Sequence, residues 1–381
     1  MATLQSSPDA VVIAGGGFAG LFCALAIRER LPERTVVLVE PQERFVFQPL
    51  LYELLSGELQ SWEVAPPYRE LLSSRRIVWL QDKVAKIDLN VTQLTTTGGH
   101  QLGWGDLVLA TGTESNDFGI PGVRDNAGAF RGLADVGVLR ERIRQLRLQR
   151  QREAALVIVG AGPTGVELAC KAADLLEGAA RVHLIEMGDQ ILPRSSSFNR
   201  EKALAALERR QVKLQLSTAV TSATNDRINL SDGTTVLHNG LIWSAGSRPS
   251  IPTITPNVST KTGIEIGADL RIKDHPHVFA IGDSAHCPEH PWPSTAQVAM
   301  QQGNAVAEAL AVMNAGGDPE PFQFQDRGEM LSLGLGDATL TGMGVTLAGP
   351  LAFTLRRATY LTRLPGLSLG LRSAGAWFLN R

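Results

Sequence analysis

Short, fully apolar runs alternate with glycine-rich turns along this chain, a pattern that predicts strands feeding directly into helices. Ala10–Ala14 (AVVIA) is an apolar run of strand length, followed at once by Gly15-Gly16-Gly17-Phe18-Ala19-Gly20 and a helical stretch through Leu31. Runs that are apolar on both faces suit parallel strands buried between helices. A second run, Thr35–Val39, ends on Glu40, 20 residues after Gly20. The arrangement then recurs as Leu156–Val159, the turn Gly160-Ala161-Gly162-Pro163-Thr164-Gly165, and a strand Arg181–Ile185 ending at Glu186, the two glycine turns being 145 residues apart. Two more apolar runs end in small or acidic turns: Leu107–Leu109 before Ala110-Thr111-Gly112, and Val278–Ile281 before Gly282-Asp283. Strand, turn and helix in this order predict an α/β chain with two doubly wound, Rossmann-like halves.

The glycine spacing carries chemistry. In a dinucleotide-binding turn the first glycine makes the tight bend, the second lets main chain approach a pyrophosphate, and the third lets helix pack on strand. Gly15, Gly17 and Gly20 fit those places, and so do Gly160, Gly162 and Gly165. A pyrophosphate would sit on the helix N-terminus, where free N–H groups and the helix dipole favour an anion. Glu40 and Glu186 stand where a carboxylate can accept hydrogen bonds from ribose hydroxyls. A carboxylate there repels the extra phosphate of NADPH, so Glu186 favours NADH. Asp283 would arrive at the C-terminal end of its strand, the edge at which open α/β sheets contact ligands. Two such units imply two dinucleotides and electron transfer between them.

Composition narrows the class. The 381 residues are 44% hydrophobic and 19% charged with a formal charge of −2, which fits a globular chain and gives no basic field for nucleic acid. Charge is unevenly placed: the stretch from 338 onward holds Arg356, Arg357, Arg363, Arg372 and Arg381 and no acid, leaving 31 basic against 38 acidic residues before it. Such a tail predicts attraction to an anionic membrane surface, or packing on a partner. The 18-residue uncharged window Ala338–Leu355 contains three glycines, a proline and four threonines and reads as a poor spanning helix. The leader before Ala10 reads as too short and polar for a signal or transit peptide. Cys23, Cys170 and Cys287 lie far apart, which disfavours a disulfide framework or a metal site.

Taken together, GGGFAG with Glu40, LATG at 109–112, VGAGPTGVELA at 159–169 and FAIGD at 279–283 resemble the two-dinucleotide-binding-domain flavoproteins. The resemblance covers nearly the whole chain and implies that the first turn and Asp283 hold FAD while the second holds NADH or NADPH. Many members relay electrons through a cysteine pair. Here Arg44-Phe45-Val46-Phe47-Gln48-Pro49-Leu50-Leu51-Tyr52-Glu53 follows Glu40 without one, and Cys23 and Cys170 fall on helices where buried structural thiols are expected. Disulfide and sulfide:quinone reductases are therefore disfavoured.

The segment from Pro293 to Gly303 (PSTAQVAMQQG) is similar to the AQxAxQ motif of type II NAD(P)H:quinone oxidoreductases, and Trp243-Ser244-Ala245-Gly246 also resembles that family. Gln297 and Gln301, four apart, share a helix face; the resemblance implies that their neutral amides hydrogen-bond quinone oxygens. It further implies that Glu167, the glutamate of the GVE motif, orients the nicotinamide or handles a proton near the flavin, with a dipole-stabilised helix-start acid as the alternative. Contacts to the dinucleotides are implied for Gln48, Pro49, Leu50, Ala110, Thr111, Gly112, Gly246, Gly282, Asp283, Ala296 and Gln297.

Phe47–Leu59, Arg327–Leu335 and Gly349–Pro365 are similar to the cyanobacterial and plastid branch, whose members reduce naphthoquinones of the phylloquinone pathway such as demethylphylloquinone. The family pattern places the C-terminal segment on the cytoplasmic face of a membrane. Leu351–Leu364 would put Arg356, Arg357 and Arg363 beside Phe353, Leu355, Tyr360, Leu361 and Leu364, with Trp377 and Phe378 as interfacial anchors. A helix packed on the body or on a dimer partner is the alternative. The expected domains are a discontinuous FAD domain (1–118 and 264–325), an inserted NAD(P)H domain (150–263) and a C-terminal membrane-associating segment (326–381). Two other readings stay open: a soluble NAD(P)H oxidase or ferredoxin-reductase-like flavoprotein, and an NADH-responsive flavoprotein sensor with a protein partner.

Overall fold

The computed structural model describes residues 9–150, 153–366, 370, 372 and 373. Trp377, Phe378 and Arg381 lie outside the described residues. The chain divides into two compact units, one formed by residues through Val46, Ala65–Glu114 and Arg248–Asp326, the other by Phe47–Val64, Ser115–Ser247 and the residues from Arg327 onward.

In the first unit the apolar runs pair as the pattern predicts. Val11–Ala14 lies between Val36–Val39 and Asp106–Leu109, in parallel with both. Ile77–Leu80 and His275–Ala280 extend the sheet in parallel on either side, and Arg271–Ile272 closes one edge antiparallel to its neighbour. All four residues of each of the three central strands are buried, as both-face burial requires. The helix Phe18–Arg30 leaves the first strand through the glycine turn and packs along Ala296–Asn314. The approach is close at Gly303, where a Cβ would come within 2.7 Å of the Ala19 carbonyl oxygen. A second sheet in this unit joins Thr253–Thr255, Val84–Asp88, Gln93–Thr96 and Gln101–Gly103.

The second unit repeats the device. Ala155–Val159 is flanked by Arg181–Ile185 and Gly240–Trp243, with Lys213–Gln215 beyond, all parallel. The helix Pro163–Leu176 opens with proline in its first turn, where a missing N–H is harmless. An antiparallel ribbon of Val220–Ala223, Arg227–Leu230 and Thr235–Leu237 completes a core that includes Val157, Ile185, Ile228 and Trp243.

The C-terminal part belongs to this second unit. Glu329–Ser332, Ala338–Gly342 and Val345–Ala348 form an antiparallel sheet, and the helix Pro350–Arg363 packs on it through Ala352 and Phe353 against Ala338. The uncharged window is thus two strands and the first turns of a helix. No helix among the described residues is long and apolar enough to cross a membrane.

The C-terminal helix does not present all its arginines on an outer face: Arg356 is completely buried, together with Ala352 and Tyr360 on the same stripe, whereas Leu351 and Leu355 are exposed. The reason is an interior carboxylate, Glu53, which draws the guanidinium inward. The exposed positions of the helix are Leu351, Thr354, Leu355, Ala358 and Thr362, with Arg357 and Arg363 partly exposed.

Candidate active site

The first glycine turn is shaped as a phosphate cradle. Gly15 has φ +100° and a Cβ there would run into the Ala110 carbonyl, so the tight bend admits only glycine. A Cβ on Gly20 would overlap the carbonyl oxygen of Gly15, which is the close helix-to-strand approach expected of the third position. At Gly17 a Cβ would meet nothing within 4 Å, so this main chain is open to an incoming group. Glu40 folds back over the turn, its Oε2 accepting from Gly16 N–H at 2.7 Å and its Oε1 from Gln42 N–H at 2.8 Å. Burial raises its pKa against those two N–H donors. Ala110 touches both Gly15 and Gly20, and Gly282 lies beside Ala19, so these predicted residues converge. Thr111 has a buried hydroxyl with no partner among the described residues, and Gly112 accepts Ser250 N–H at 2.9 Å. Asp283 sits in the short turn Gly282–Ser284 at the end of its strand.

The second turn repeats these relations almost atom for atom. Gly160 has φ +98°, with Ala245 Cα 2.8 Å from where a Cβ would stand; a Cβ on Gly165 would overlap the Gly160 carbonyl; Gly162 is open. Glu186 accepts Ala161 N–H at 2.6 Å and Gly188 N–H at 2.7 Å. Gly16 and Ala161 are the same position in the two turns, so each acid is anchored by the same main-chain donor. Ser244, from the WSAG run, donates to the carbonyls of Val159 and Gly160. Gly246, φ +74°, lies against the ring of Phe118.

Gln297 and Gln301 are both on the helix that begins at Ala296, whose N-cap is Thr295. The amide of Gln301 is engaged in both directions by the main chain of Gln325, at 2.9 and 3.0 Å. Its neighbour Gln302, which sequence reasoning missed, is the buried one, and its Oε1 accepts Gly282 N–H at 2.7 Å. Tyr68 was also missed; its hydroxyl donates to the Gly16 carbonyl at 2.7 Å. Gln48, Pro49 and Leu50 form a 3-10 turn of the second unit, in which the Pro49 carbonyl accepts from Arg356 at 2.6 Å and the Gln48 amide donates to the Arg131 carbonyl.

Glu167 lies in the second unit at the centre of a buried polar cluster. Its Oε1 accepts Ser332 N–H at 2.7 Å and stands 3.8 Å from Arg356 Nη2, and the Tyr52 hydroxyl donates to its carboxyl. Arg356 Nη1 is bonded to Glu53 Oε1, and both side chains are fully buried. Its guanidinium also lies over the Tyr360 ring, 4.9 Å from the centroid. Burial pushes the Glu167 carboxyl up to about 7, outweighing Arg356, Ser332 and Tyr52, which all favour the anion. Burial works to lower the Arg356 pKa, and Glu53, Tyr360 and Glu167 more than offset it. Glu167 can therefore hold or release a proton at neutral pH. Tyr52, Glu53 and Arg356 had no local sequence signal beyond a lone carboxylate among leucines and an arginine in line with Ala352 and Tyr360.

The raised carboxyl has a consequence for stability. A carboxyl with a folded pKa above its unfolded value of about 4.5 keeps a proton that the unfolded chain has lost, so stability falls as pH rises from about 4.5 to about 7. The loss is on the order of 3 kcal/mol. Glu167→Gln removes it, and its melting temperature relative to wild type should climb by several degrees between pH 5 and pH 8. An unchanging difference would place the titration elsewhere.

All three cysteines are buried and unpaired, and burial pushes the Cys170 thiol up to about 12. Neither Cys23 nor Cys170 is poised as a thiolate. No group of His, Cys, Asp or Glu among the described residues is arranged to hold a metal ion.

The comparisons agree with this geometry. The pyridine nucleotide-disulphide oxidoreductase family matches residues 9–303. A demethylphylloquinone reductase of Synechocystis sp. is 33% identical, over 97% of this chain and 98% of its own. A type II NADH:quinone oxidoreductase of Mycobacterium tuberculosis is 30% identical over 96% and 87%. Among solved structures, NDH2 of Plasmodium falciparum in complex with NADH superimposes with a TM-score of 0.88 over 98% of this chain and 97% of that one at 16% identity, a likeness of fold. With two open glycine turns, each closed by its own acid, and relatives matched over nearly their full length, this chain belongs to the pyridine nucleotide-disulphide oxidoreductase family and, within it, to the type II NADH:quinone oxidoreductases.

Proposed function

We propose that this chain is an FAD-dependent NADH:quinone oxidoreductase that reduces a naphthoquinone of the phylloquinone type at a membrane surface, in the sense NADH + H⁺ + quinone → NAD⁺ + quinol, without pumping protons. The observation that carries the reading is the presence, in one chain, of two open dinucleotide cradles and a buried carboxyl titrating near neutrality. Bound FAD supplies the two-electron exchange between nicotinamide and quinone. Gly15, Gly17, Gly20, Glu40, Ala110, Thr111, Gly112, Gly282, Asp283 and Ala296, all in the first unit, hold it. Gly160, Gly162, Gly165, Glu186 and Gly246 hold NADH. Glu186 presents its carboxylate to the ribose hydroxyls, and Glu186→Gln should raise kcat/KM for NADPH relative to NADH by roughly ten-fold, about 1.4 kcal/mol. Glu167 supplies a proton for the quinol, and Gln297 offers a neutral amide to a quinone oxygen. Gln301 has that role open to it only by exchanging its bonds to Gln325.

The phylloquinone branch rests on the likeness to the Synechocystis reductase. Membrane contact rests on the outward face of the C-terminal helix and its sheet, where Leu351, Leu355, Val345 and Met343 are exposed large apolar side chains. Deleting this helix would also remove Arg356 from Glu53, so the surface is better tested by Leu351→Glu/Leu355→Glu. The decisive experiment is anaerobic stopped-flow: reduce the holoenzyme with NADH, then mix with menadione. Reoxidation at rates that support turnover, enhanced by anionic vesicles and no longer enhanced in the double glutamate variant, is the expected result. Rapid reduction by NADH followed by slow reoxidation would shift the acceptor to oxygen or a carrier protein and overturn the proposal. Glu167→Gln should slow turnover while FAD stays bound.

A further inference from the structure

We propose that Glu53 is a positioning residue: by pairing with the buried guanidinium of Arg356 it fixes how much of that positive charge reaches Glu167, and with it the pH at which Glu167 exchanges its proton. The inference rests on the proposed proton-handling role of Glu167 and goes beyond it by assigning the tuning to an ion pair that itself gives no proton to the quinone.

The geometry of Arg356 is that of a shared cation. Nη1 is committed to Glu53, Nη2 lies 2.6 Å from the Pro49 carbonyl and 3.8 Å from Glu167 Oε1, and Nε has no partner among the described residues. Glu53 uses one oxygen; the other, Oε2, is likewise buried without a partner. Two adjacent residues of the short helix Leu51–Ser56 thus converge on one carboxyl. Tyr52 acts directly, through its hydroxyl, and Glu53 acts through the guanidinium between them. Burying a charged triad is costly, and apolar side chains of similar size commonly serve stability as well or better. Arg356 and Glu53 are therefore poor choices for holding a helix down and good ones for setting a potential.

Among the described residues, few groups face Glu167. Tyr52 and Glu53 come from the helix Leu51–Ser56, Arg356 and Tyr360 from the C-terminal helix, and the Ser332 N–H from the strand Glu329–Ser332. On its own helix Cys170 is a neutral buried thiol, Lys171 is paired with Glu58 at 2.7 Å, and Asp174 is paired with Arg210 at 2.7 Å. Of these, Arg356 stabilises the anion of Glu167 and Glu53 opposes it, so neutralising Glu53 alone and neutralising the pair must act in opposite directions. Glu53→Gln leaves Arg356 with Glu167 as its one carboxylate partner among the described residues and should lower the titration by about one pH unit or more; Glu53→Gln/Arg356→Met removes the cation as well and should raise it above wild type by a similar amount. Neither variant leaves a buried carboxylate at position 53 without a counter-charge. Arg356→Lys keeps the charge and should stay near wild type.

Two readouts on the holoenzyme decide the matter: the pH profile of reoxidation by menadione, and the infrared carbonyl band of the protonated carboxyl followed across the same pH range without turnover. Opposite displacements in the two variants, both absent in a Glu167→Gln background, are the expected result. If Glu167→Gln abolishes the titration but the other variants leave it in place or move it in one direction, the tuning role of Glu53 is overturned while Glu167 keeps its own. If Glu167→Gln leaves profile and band intact, the proposed role of Glu167 falls, and this inference with it. Should Glu53→Gln fail to retain flavin, the double variant against wild type still decides, since the upward displacement is required.

Discussion

Arg356→Met should destabilise this protein by about 3–5 kcal/mol, the penalty for leaving one partner of a buried ion pair without its counter-charge. Glu53 and Arg356 are both fully buried, so the stranded carboxylate cannot rotate into water. Adding Glu53→Gln should restore most of the loss, because the remaining pair of neutral side chains fills similar space. Urea unfolding of the wild type, the two single variants and the double variant closes the cycle and yields the coupling directly. A helix that merely lay on a surface would tolerate Arg356→Met within about 0.5 kcal/mol. That outcome would contradict the packing of the C-terminal helix described above.

The second large effect separates two glycines three residues apart. Gly20→Ala places a methyl group on the Gly15 carbonyl, so the helix must move off its strand and flavin binding should be lost together with stability. Gly17→Ala should leave the melting temperature of the flavin-free protein unchanged, since its methyl meets nothing, yet should weaken FAD by at least about ten-fold, roughly 1.4 kcal/mol, by standing where a pyrophosphate approaches. Flavin release followed by fluorescence, alongside thermal unfolding of the stripped protein, distinguishes the two. A Gly17→Ala variant that kept full flavin affinity would remove Gly17 from the cradle. The same contrast holds between Gly165 and Gly162 for NADH.

What was legible in the letters was local. The glycine turns could be read because bend, open position and helix contact fall within six residues, and because Glu40 and Glu186 follow at the end of the next strand. The structure adds the main-chain donors, Gly16 and Ala161, that anchor those acids. Buried thiols at Cys23 and Cys170 were legible for the same reason, since both follow a glycine turn on an apolar helix. Gln302 was not, because Gln297 and Gln301 mark one helix face and only packing against Gly282 shows that the next residue turns inward.

The C-terminal helix shows where reading by pattern fails. Arginines beside leucines and aromatics suggest a basic amphipathic helix with its charges outward, and for Leu351 and Leu355 against Arg356 the arrangement is inverted. Nothing within the helix could reveal this, because the partner that reverses it, Glu53, is 303 residues away in sequence. The sequence by itself determined the two dinucleotide turns, their acids and the α/β architecture, since each is a short-range consequence of backbone sterics and strand burial. Only the tertiary structure decided that residues 52, 53, 167, 332 and 356 meet. Bringing them together out of water turns an ordinary helix-start glutamate into a carboxyl that titrates near neutral pH.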